Sequence, residues 1–288
     1  MTSRRRFGAA GLGAAALALA GRPLRAELAP LRVVSANGTL TEIVFRLDAQ
    51  ALLVGADTTS IYPAAARALP MIGYPRQLSA EGVLSLRPTL LLTAAEAGPP
   101  TALQQLRSAG VRILQADSHH SIEALRANVR LLAEALQRAE RGRALDAELQ
   151  ADWAATQAMI VPRKPATRVL FVLSHAANQV QVAGAGTAAD AMIRYAGGSN
   201  VMASFGGYKP LAAEAAVAAA PDVIVTTQQG LEALGGVDAL LARPGLALTP
   251  AGKARRVYGP DALALLGFGP RLPQTLRELA VALGKAPA

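Results

Sequence analysis

The sequence predicts an α/β protein with two pseudo-symmetric α/β lobes joined by a single long helix and a ligand cleft between the lobes. Three observations predict this fold: short apolar runs alternate with helical segments, a long helical stretch separates two such series, and a repeat relates them. The expected divisions are an export signal at 1–26, a first lobe at 27–120, a helical segment including the interlobe helix at 121–162, and a second lobe at 163–288.

Residues 1–26 have the composition of an export signal. Arginines at positions 4–6 precede a small-residue apolar stretch without charge up to Arg22, and cleavage is expected after Ala20 or Ala26. The stretch is shorter than the ~20 apolar residues that cross a bilayer, and the paired arginines favour the twin-arginine type. The chain has no cysteine, which predicts no lipid anchor and no disulfide. We therefore predict a mature protein free in the periplasm.

Charge and motifs exclude several function classes. The formal net charge is +9, and five of these charges come from arginines within 1–26, which leaves +4 for the rest of the chain. No run of lysine or arginine indicates nucleic-acid binding. The sequence lacks a P-loop, a GxSxG elbow and an HExxH helix, and with no cysteine and three histidines it does not indicate a zinc enzyme. We expect a monomer that is not an enzyme.

The first lobe is predicted to contain a parallel sheet. Apolar strands, with helical runs such as 40–47 between most of them, are typical of this arrangement; the strands are expected at 31–36, 52–56, 89–93 and 111–116. Residues 121–160 are rich in Ala, Leu, Glu, Gln and Arg, contain one glycine at Gly142, and end before Pro162. That composition predicts a helical segment longer than a usual globular helix.

The second lobe repeats the pattern of the first. Further strands are expected at 167–173, 179–183, 221–227 and 255–259. Residues 78–93 align with 211–226 at an offset of 133, which pairs Glu81 with Glu214. With a gap of one residue, the dipeptide Gly73-Tyr74 aligns with Gly207-Tyr208. Each acid begins a predicted helix, where the positive end of the helix dipole favours it.

Tyr74 is the candidate that best suits iron chemistry. It lies in the stiff loop Gly73-Tyr74-Pro75-Arg76, where a guanidinium two residues away favours the phenolate form. Phenolate is a donor suited to Fe(III), and tyrosine is an axial haem ligand. A Tyr-x-Arg pair on a loop is also common on ordinary surfaces, so the residues alone leave both interpretations open. Tyr62, also on a loop and before a proline, is a second candidate, and its alternative interpretation is a packed turn residue.

Three further segments contain residues with binding potential. His175 directly follows the strand at 167–173, where ligands bind in open α/β sheets, although a hydrogen-bonded loop histidine is equally consistent. The adjacent pair His119-His120 precedes the long helix and is interpreted as a polar cap region. Residues 184–189 fit a loose GxGxxA pattern, but no acid follows at the spacing of a ribose partner. We therefore interpret these glycines as a tight turn beside the cleft.

Four stretches, at 73–92, 172–193, 207–225 and 265–270, resemble the periplasmic haem-binding proteins of bacterial haem ABC importers, within the helical-backbone class of substrate-binding proteins. The resemblance implies that Tyr74 is the axial iron ligand and Arg76 its hydrogen-bond partner. It implies that His175 allows a second, stacked haem. It also implies that Glu81 and Glu214 dock onto arginines of a permease dimer.

The sequence departs from the pattern of this family at one site, and two alternative functions remain open. Some relatives have an arginine near the turn occupied here by Gln228-Gln229, which puts propionate binding in doubt. The remaining candidate haem contacts are Tyr62, Tyr208, Lys209 and Gln229. The implied function is periplasmic binding of haem b, one or two per chain, and delivery to an ABC permease with its ATPase for iron uptake. The alternatives are a ferric siderophore or corrinoid as ligand, or a secreted α/β enzyme that uses Tyr74 or His175.

Overall fold

Two separate β-sheets organise the computed structural model, which describes residues 30–161, 165–176 and 179–284. The export signal predicted at 1–26 lies outside the described residues. The strands of the described part are β1 Val33–Ala36, β2 Leu53–Ala56, β3 Leu90–Thr93, β4 Arg112–Gln115, β5 Arg168–Ala176, β6 Gln179–Ala183, β7 Ser199–Asn200, β8 Tyr208–Pro210, β9 Val223–Val225 and β10 Val257–Tyr258.

Helices connect most of these strands. In the described part they are α1 Gly38–Arg46, α2 Ala80–Leu84, α3 Pro100–Ser108, α4 Ile122–Ala135, α5 Ala139–Met159, α6 Ala188–Tyr195, α7 Ala213–Ala219, α8 Gln228–Leu234, α9 Val237–Leu241, α10 Pro250–Lys253, α11 Ala262–Leu266 and α12 Leu272–Ala282. Short 3-10 helices lie at Gln50–Leu52, Ala64–Ala68, Pro75–Gln77 and Leu246–Leu248. Within the described residues, no helix is both long and apolar enough to cross a membrane.

The first sheet has the predicted parallel topology. Its strands lie in the order β2-β1-β3-β4, and β1 pairs in parallel with both β2 and β3. Helix α1 begins at the predicted polar turn because the side chain of Asn37 accepts hydrogen bonds from the backbone of Thr39 and Leu40, at 2.9 and 3.2 Å. Such a cap satisfies amide groups that the first helical turn leaves free.

The second sheet is mixed. Its order is β10-β9-β5-β6-β8, with β7 paired to β5, and β6 runs antiparallel to both β5 and β8. All eight strands predicted from apolar runs are present, but β7 and β8 were not predicted. They have two and three residues, with the sequences SN and YKP, and unlike the equally short β9 and β10 they contain no run of apolar residues that predicts a strand.

The helical segment predicted at 121–162 contains two helices, α4 and the 21-residue α5. Gln137 adopts a left-handed conformation (φ 57°), which ends α4 and reverses the chain, so that α5 packs along α4. The two helices are joined by Arg126, whose guanidinium donates to both carboxylate oxygens of Asp146 at 2.8 and 3.0 Å. These bonds lower the pKa of Asp146. The break has no glycine or proline, so the composition of the segment gave no stop signal.

Gly142 allows α4 and α5 to approach closely. A Cβ atom at this position would lie 2.3 Å from the Cβ of Ala133. We expect Gly142→Ala to destabilise the protein by ~1–3 kcal/mol through overpacking, although alanine is the better helix former. Gly82→Ala is the control, because its nearest neighbour would be at 3.5 Å. Thermal unfolding that ranks Gly142→Ala as the more stable variant would contradict this packing argument.

One hydrophobic core extends across both sheets. It contains Val33 and Leu90 of the first sheet, Phe171 and Val225 of the second, and Leu145 of α5, all at most 1% exposed. Smaller clusters fill the outer faces, with α2 and α3 on the first sheet and α7 to α10 on the second. From Leu31 onward the chain is consequently a single compact unit.

The sequence repeat corresponds to a structural repeat. In each copy a short helix that begins with an acid, α2 or α7, leads into a buried strand, β3 or β9. Arg87 and Ala220 are also separated by 133 residues, and both adopt a left-handed conformation, with φ of 49° and 41°. Each precedes a proline, which disfavours right-handed helix at the residue before it. The two copies therefore share a left-handed residue before the proline, which caps α7 directly and follows the cap of α2 by two residues.

Candidate functional site

A cleft of about 790 Å³ lies where the carboxyl ends of β1 to β4 meet. Ligands of open α/β sheets bind at such an edge, and the volume falls in the usual range for small-molecule sites, roughly 300–1,000 Å³. The first sheet and its loops contribute one wall, and residues of the second sheet, α8 and α11 contribute the other. The lining side chains used below are Tyr74, Arg76, Glu96, Asp117, Ser118, His119, His120, Asn128, Leu173, Gln181, Tyr208, Gln229, Leu266 and Phe268.

Tyr74 projects from a loop whose N-terminal side is fixed by hydrogen bonds to the end of β2 and the turn after it. Ile72 donates to the carbonyl of Ala56 at 3.0 Å, and Thr58 donates to the carbonyl of Gly73 at 3.1 Å. Gly73 has φ 88°, a conformation for which glycine is the natural residue. Tyr74 is 44% exposed and lines the cleft together with Arg76. No hydrogen bond joins these two side chains among the described residues, so both are open to a ligand.

Tyr208 occupies the corresponding position on the second wall. It follows Gly207, which also has a positive φ of 73°, and it is 37% exposed. Strand β6 holds it in place through pairing with Ala183. Burial raises the pKa of Tyr208, and a hydrogen bond with Thr187 opposes this shift. The structure therefore places two tyrosines, one on a loop and one at the start of β8, each after a left-handed glycine, in the same cleft.

The GxGxxA segment forms the tight turn expected beside Tyr208. A Cβ on Gly184 would lie 2.2 Å from the carbonyl oxygen of Phe205, and Gly184 donates to the carbonyl of Gly207 at 2.7 Å. Lys209, which we predicted as a haem contact, does not line the cleft. Its ammonium instead lies 4.7 Å from the ring centroid of Phe205.

Gln229 lines the cleft, but its amide already has protein partners. Its nitrogen donates to Asp261 at 2.8 Å, and its oxygen accepts from the backbone of Ala262 at 2.8 Å. The side chain therefore holds the loop that begins α11, and one N–H donor and one oxygen lone pair of the amide remain for a ligand.

Tyr62 belongs to a polar network outside the residues that line the cleft. The guanidinium of Arg271 lies 3.8 Å from the Tyr62 ring centroid. The same guanidinium donates to Glu42 at 3.1 Å and to Asp261 at 3.1 Å. Glu42 is 2% exposed, and burial raises its pKa while Arg271 opposes the shift. The network connects α1 of the first lobe to the start of α12.

His119 and His120 line the cleft, which the sequence analysis missed when it interpreted them only as a cap region. The cap of α4 is instead Ser121, whose hydroxyl accepts from the backbone of Ala124 at 3.1 Å. His119 is largely exposed, and its Nδ1 lies 2.5 Å from Asp117. Their position after β4, at the edge where ligands bind, was the available signal.

His175 lies in the last part of β5, one residue before the strand ends at Ala176. Its side chain is outside the described part of the structure, so its role as a ligand stays a prediction. Leu173 of the same strand lines the cleft. Glu81 and Glu214 lie outside the cleft, in the first turns of α2 and α7.

Comparison with known proteins agrees with this architecture. The family model described as "Periplasmic binding protein" matches residues 33–263. The haem-binding protein BhuT, solved in complex with two haems, is 51% identical with a TM-score of 0.82, and the match covers 88% of this chain and 97% of that one.

Two further relatives are similar over most of the chain. The haem-binding protein RhuT of Roseiflexus sp. RS-1, solved in apo form, is 44% identical with a TM-score of 0.84, and the match covers 88% of this chain and 97% of that one. An uncharacterised ABC transporter substrate-binding lipoprotein, YvrC of Bacillus subtilis, is 26% identical over 87% of this chain and 79% of its own length. The family match spans both sheets and the cleft between them, and the chain therefore belongs to the periplasmic binding protein family, whose members bind solutes and are not enzymes.

Proposed function

We propose that this protein binds haem in the periplasm, with the phenolate of Tyr74 as the iron ligand, and delivers it to an ABC permease with its ATPase. The observation that carries this proposal is the exposed Tyr74 beside Arg76 in the cleft, in a chain whose relatives BhuT and RhuT bind haem. A phenolate supplies an anionic oxygen to Fe(III). Arg76 lines the same cleft and is the cation that we expect beside the ligating oxygen.

The remaining cleft surface suits a flat, largely apolar macrocycle. Leu173, Leu266 and Phe268 contribute apolar area, and Tyr208 faces the cleft from the second wall. Removing such surfaces from water favours binding by about 25 cal/mol per Å². Arg76 is the cation that we expect to donate a hydrogen bond to the Tyr74 oxygen that ligates the iron. Gln229 can donate its second N–H to a propionate but supplies no charge there, and Asp261 and Ala262 bind the other half of its amide.

We expect haemin titration to distinguish one bound haem from two. When haemin is added to the wild-type apo-protein, the absorption band of a ferric tyrosinate-haem complex should appear. If His175 ligates a second iron, the titration curve should break at two equivalents of haemin. His175→Ala should then show its break at one equivalent, because imidazole is an ordinary haem ligand and its removal leaves the second iron without one. A single break at one equivalent in both proteins would eliminate the second haem, and no spectral change would eliminate haem binding.

Glu81 and Glu214 are suited to contact the permease. Both are exposed, and neither carboxylate has a hydrogen bond or ion pair with another described residue. They occupy equivalent positions in the two copies of the repeat, as contacts with a two-fold symmetric partner require. We expect the double change Glu81→Lys and Glu214→Lys to leave haemin titration intact and to abolish haem uptake through the cognate permease. Asp238→Lys, at another exposed acid, is the control, and uptake at the wild-type rate in the double variant would contradict docking.

A ferric siderophore or corrinoid is the second candidate ligand. Such ligands bring their own iron or cobalt donors, so they do not need the pair of Tyr74 and Arg76. Competition separates the candidates: bound haemin should resist displacement by excess ferric siderophore or cobalamin. Displacement at equimolar concentration would favour the second candidate.

A further inference from the structure

The loop between β4 and α4 is built as a rigid part of the cleft wall. The side chain of Asn128, 6% exposed, accepts from the backbone of Asp117 at 2.8 Å and donates to its carbonyl at 2.8 Å. The hydroxyl of Ser118 accepts from the backbone of Ala95 and donates to Glu96, both at 3.2 Å. These bonds hold the loop against α4 and against the loop after β3.

His120 differs from its neighbour His119 in what its ring contacts. The ring of His120 packs against Phe268, with centroids 5.2 Å apart and planes tilted by 53°. Neither ring nitrogen of His120 has a hydrogen-bond partner among the described residues, whereas Nδ1 of His119 is bound to Asp117. His120 is exposed to the cleft, and partial desolvation beside Phe268 lowers its pKa while Glu96 opposes the shift, so neutral imidazole is the favoured form. A neutral imidazole retains the lone pair that binds metals.

His120 and Tyr74 lie on the same wall, joined through the loop after β3. Gly98 of that loop donates to the carbonyl of Pro75 at 3.0 Å and accepts from the backbone of Leu78 at 2.7 Å. The same loop contributes Glu96, which Ser118 contacts. A ligand as wide as a haem that contacts Tyr74 can therefore extend over the loop of His120. The carboxylates of Glu96 and Asp117 would repel propionates there, so the function open to His120 is to ligate iron.

We propose that His120 is a second iron ligand on the first wall, one that binds haem iron when Tyr74 does not; this inference rests on the proposed function. Phenolate favours Fe(III), whereas neutral imidazole binds both Fe(III) and Fe(II). In the exchange, the bond from iron to the Tyr74 oxygen breaks, a bond to a His120 nitrogen forms, and the phenolate takes a proton from water. The iron keeps its oxidation state throughout.

The test uses the full chain and haemin, with His175→Ala as background, because His119 and His120 are then the remaining histidines of the three in the chain. We expect His175→Ala to bind haemin with a tyrosinate spectrum. Adding Tyr74→Phe should give weaker binding with an imidazole signature in absorption and electron paramagnetic resonance. Adding His120→Ala as well should remove that signature and lower affinity by roughly tenfold or more, and adding His119→Ala in its place should not.

Two results would overturn the inference. One is haem bound to the Tyr74→Phe, His175→Ala protein without an imidazole signature. The other is an imidazole signature that persists after His120→Ala. If circular dichroism shows that the alanine variant is misfolded, His120→Gln takes its place in the same comparison. Failure of both the wild-type protein and His175→Ala to bind haemin would instead contradict the proposed function itself.

Discussion

Tyr74→Phe should remove the tyrosinate band of the ferric haem complex and weaken haemin binding by on the order of 100-fold, ~3 kcal/mol. The change deletes the one oxygen that we assign to the iron and keeps the ring that contacts the cleft. Tyr74 is 44% exposed, and its hydroxyl has no protein partner among the described residues, so the fold should not depend on it. Haemin titration followed by absorption, together with thermal unfolding of the apo-protein, checks both statements.

Two matched variants test the specificity of this effect. Tyr208→Phe removes a hydroxyl from the opposite wall and should leave the tyrosinate band in place. Arg76→Ala should weaken binding less than Tyr74→Phe does, because it removes a charge-assisted partner and keeps the ligand. An unchanged spectrum in Tyr74→Phe, with loss of the band in Tyr208→Phe, would assign the iron to the second wall.

Arg271→Ala should destabilise the protein by ~3–5 kcal/mol, a fall in Tm of roughly 10 °C. The guanidinium is the partner of Glu42, whose carboxylate is 2% exposed and would be left charged and buried. Arg255→Ala is the matched control, because its pair with Asp238 is exposed on both sides and should contribute ~1 kcal/mol or less. Equal losses in the two variants would contradict the role of burial.

The destabilisation by Arg271→Ala should depend on pH. Burial raises the pKa of Glu42 above that of an unfolded chain, and Arg271 limits the rise. Without Arg271 the folded state retains a proton that the unfolded state releases, so stability is lost as pH increases through the folded pKa. The difference from wild type should therefore be smaller at about pH 5 than at about pH 8. A difference that grows toward acid would show that Glu42 is not the residue left unpaired.

Much of the fold was predictable because its signals are local. The apolar runs at 89–93 and 221–227 predicted β3 and β9, and Pro88 and Pro221 marked the turns before them. The repeat predicted two related lobes, and the resemblance directed attention to Tyr74. Each of these inferences depends on the order of residue types along a few consecutive positions, which the sequence contains directly.

The errors came from contacts between distant residues. The turn at Gln137 depends on the packing of α5 along α4, where Gly142 contacts Ala133. No residue type in the turn itself predicts that the helix ends there. Strand β8 exists because β6 pairs with it. The same limit applies to the contacts of Tyr62 with Arg271 and of Lys209 with Phe205, which no local pattern predicted; the role of both residues as haem contacts stays a prediction.

By itself, the sequence determined the α/β class, the eight strands that lie in apolar runs and the loop that holds Tyr74, because periodicity, caps and prolines act within a few residues. Only the tertiary structure decided which side chains share the cleft. It brought His120 beside Phe268 and engaged the amide of Gln229 with Asp261. These partners are 148 and 32 residues apart in the chain, and the physical reason is that such contacts arise when packed elements bury a common core, which no local pattern encodes.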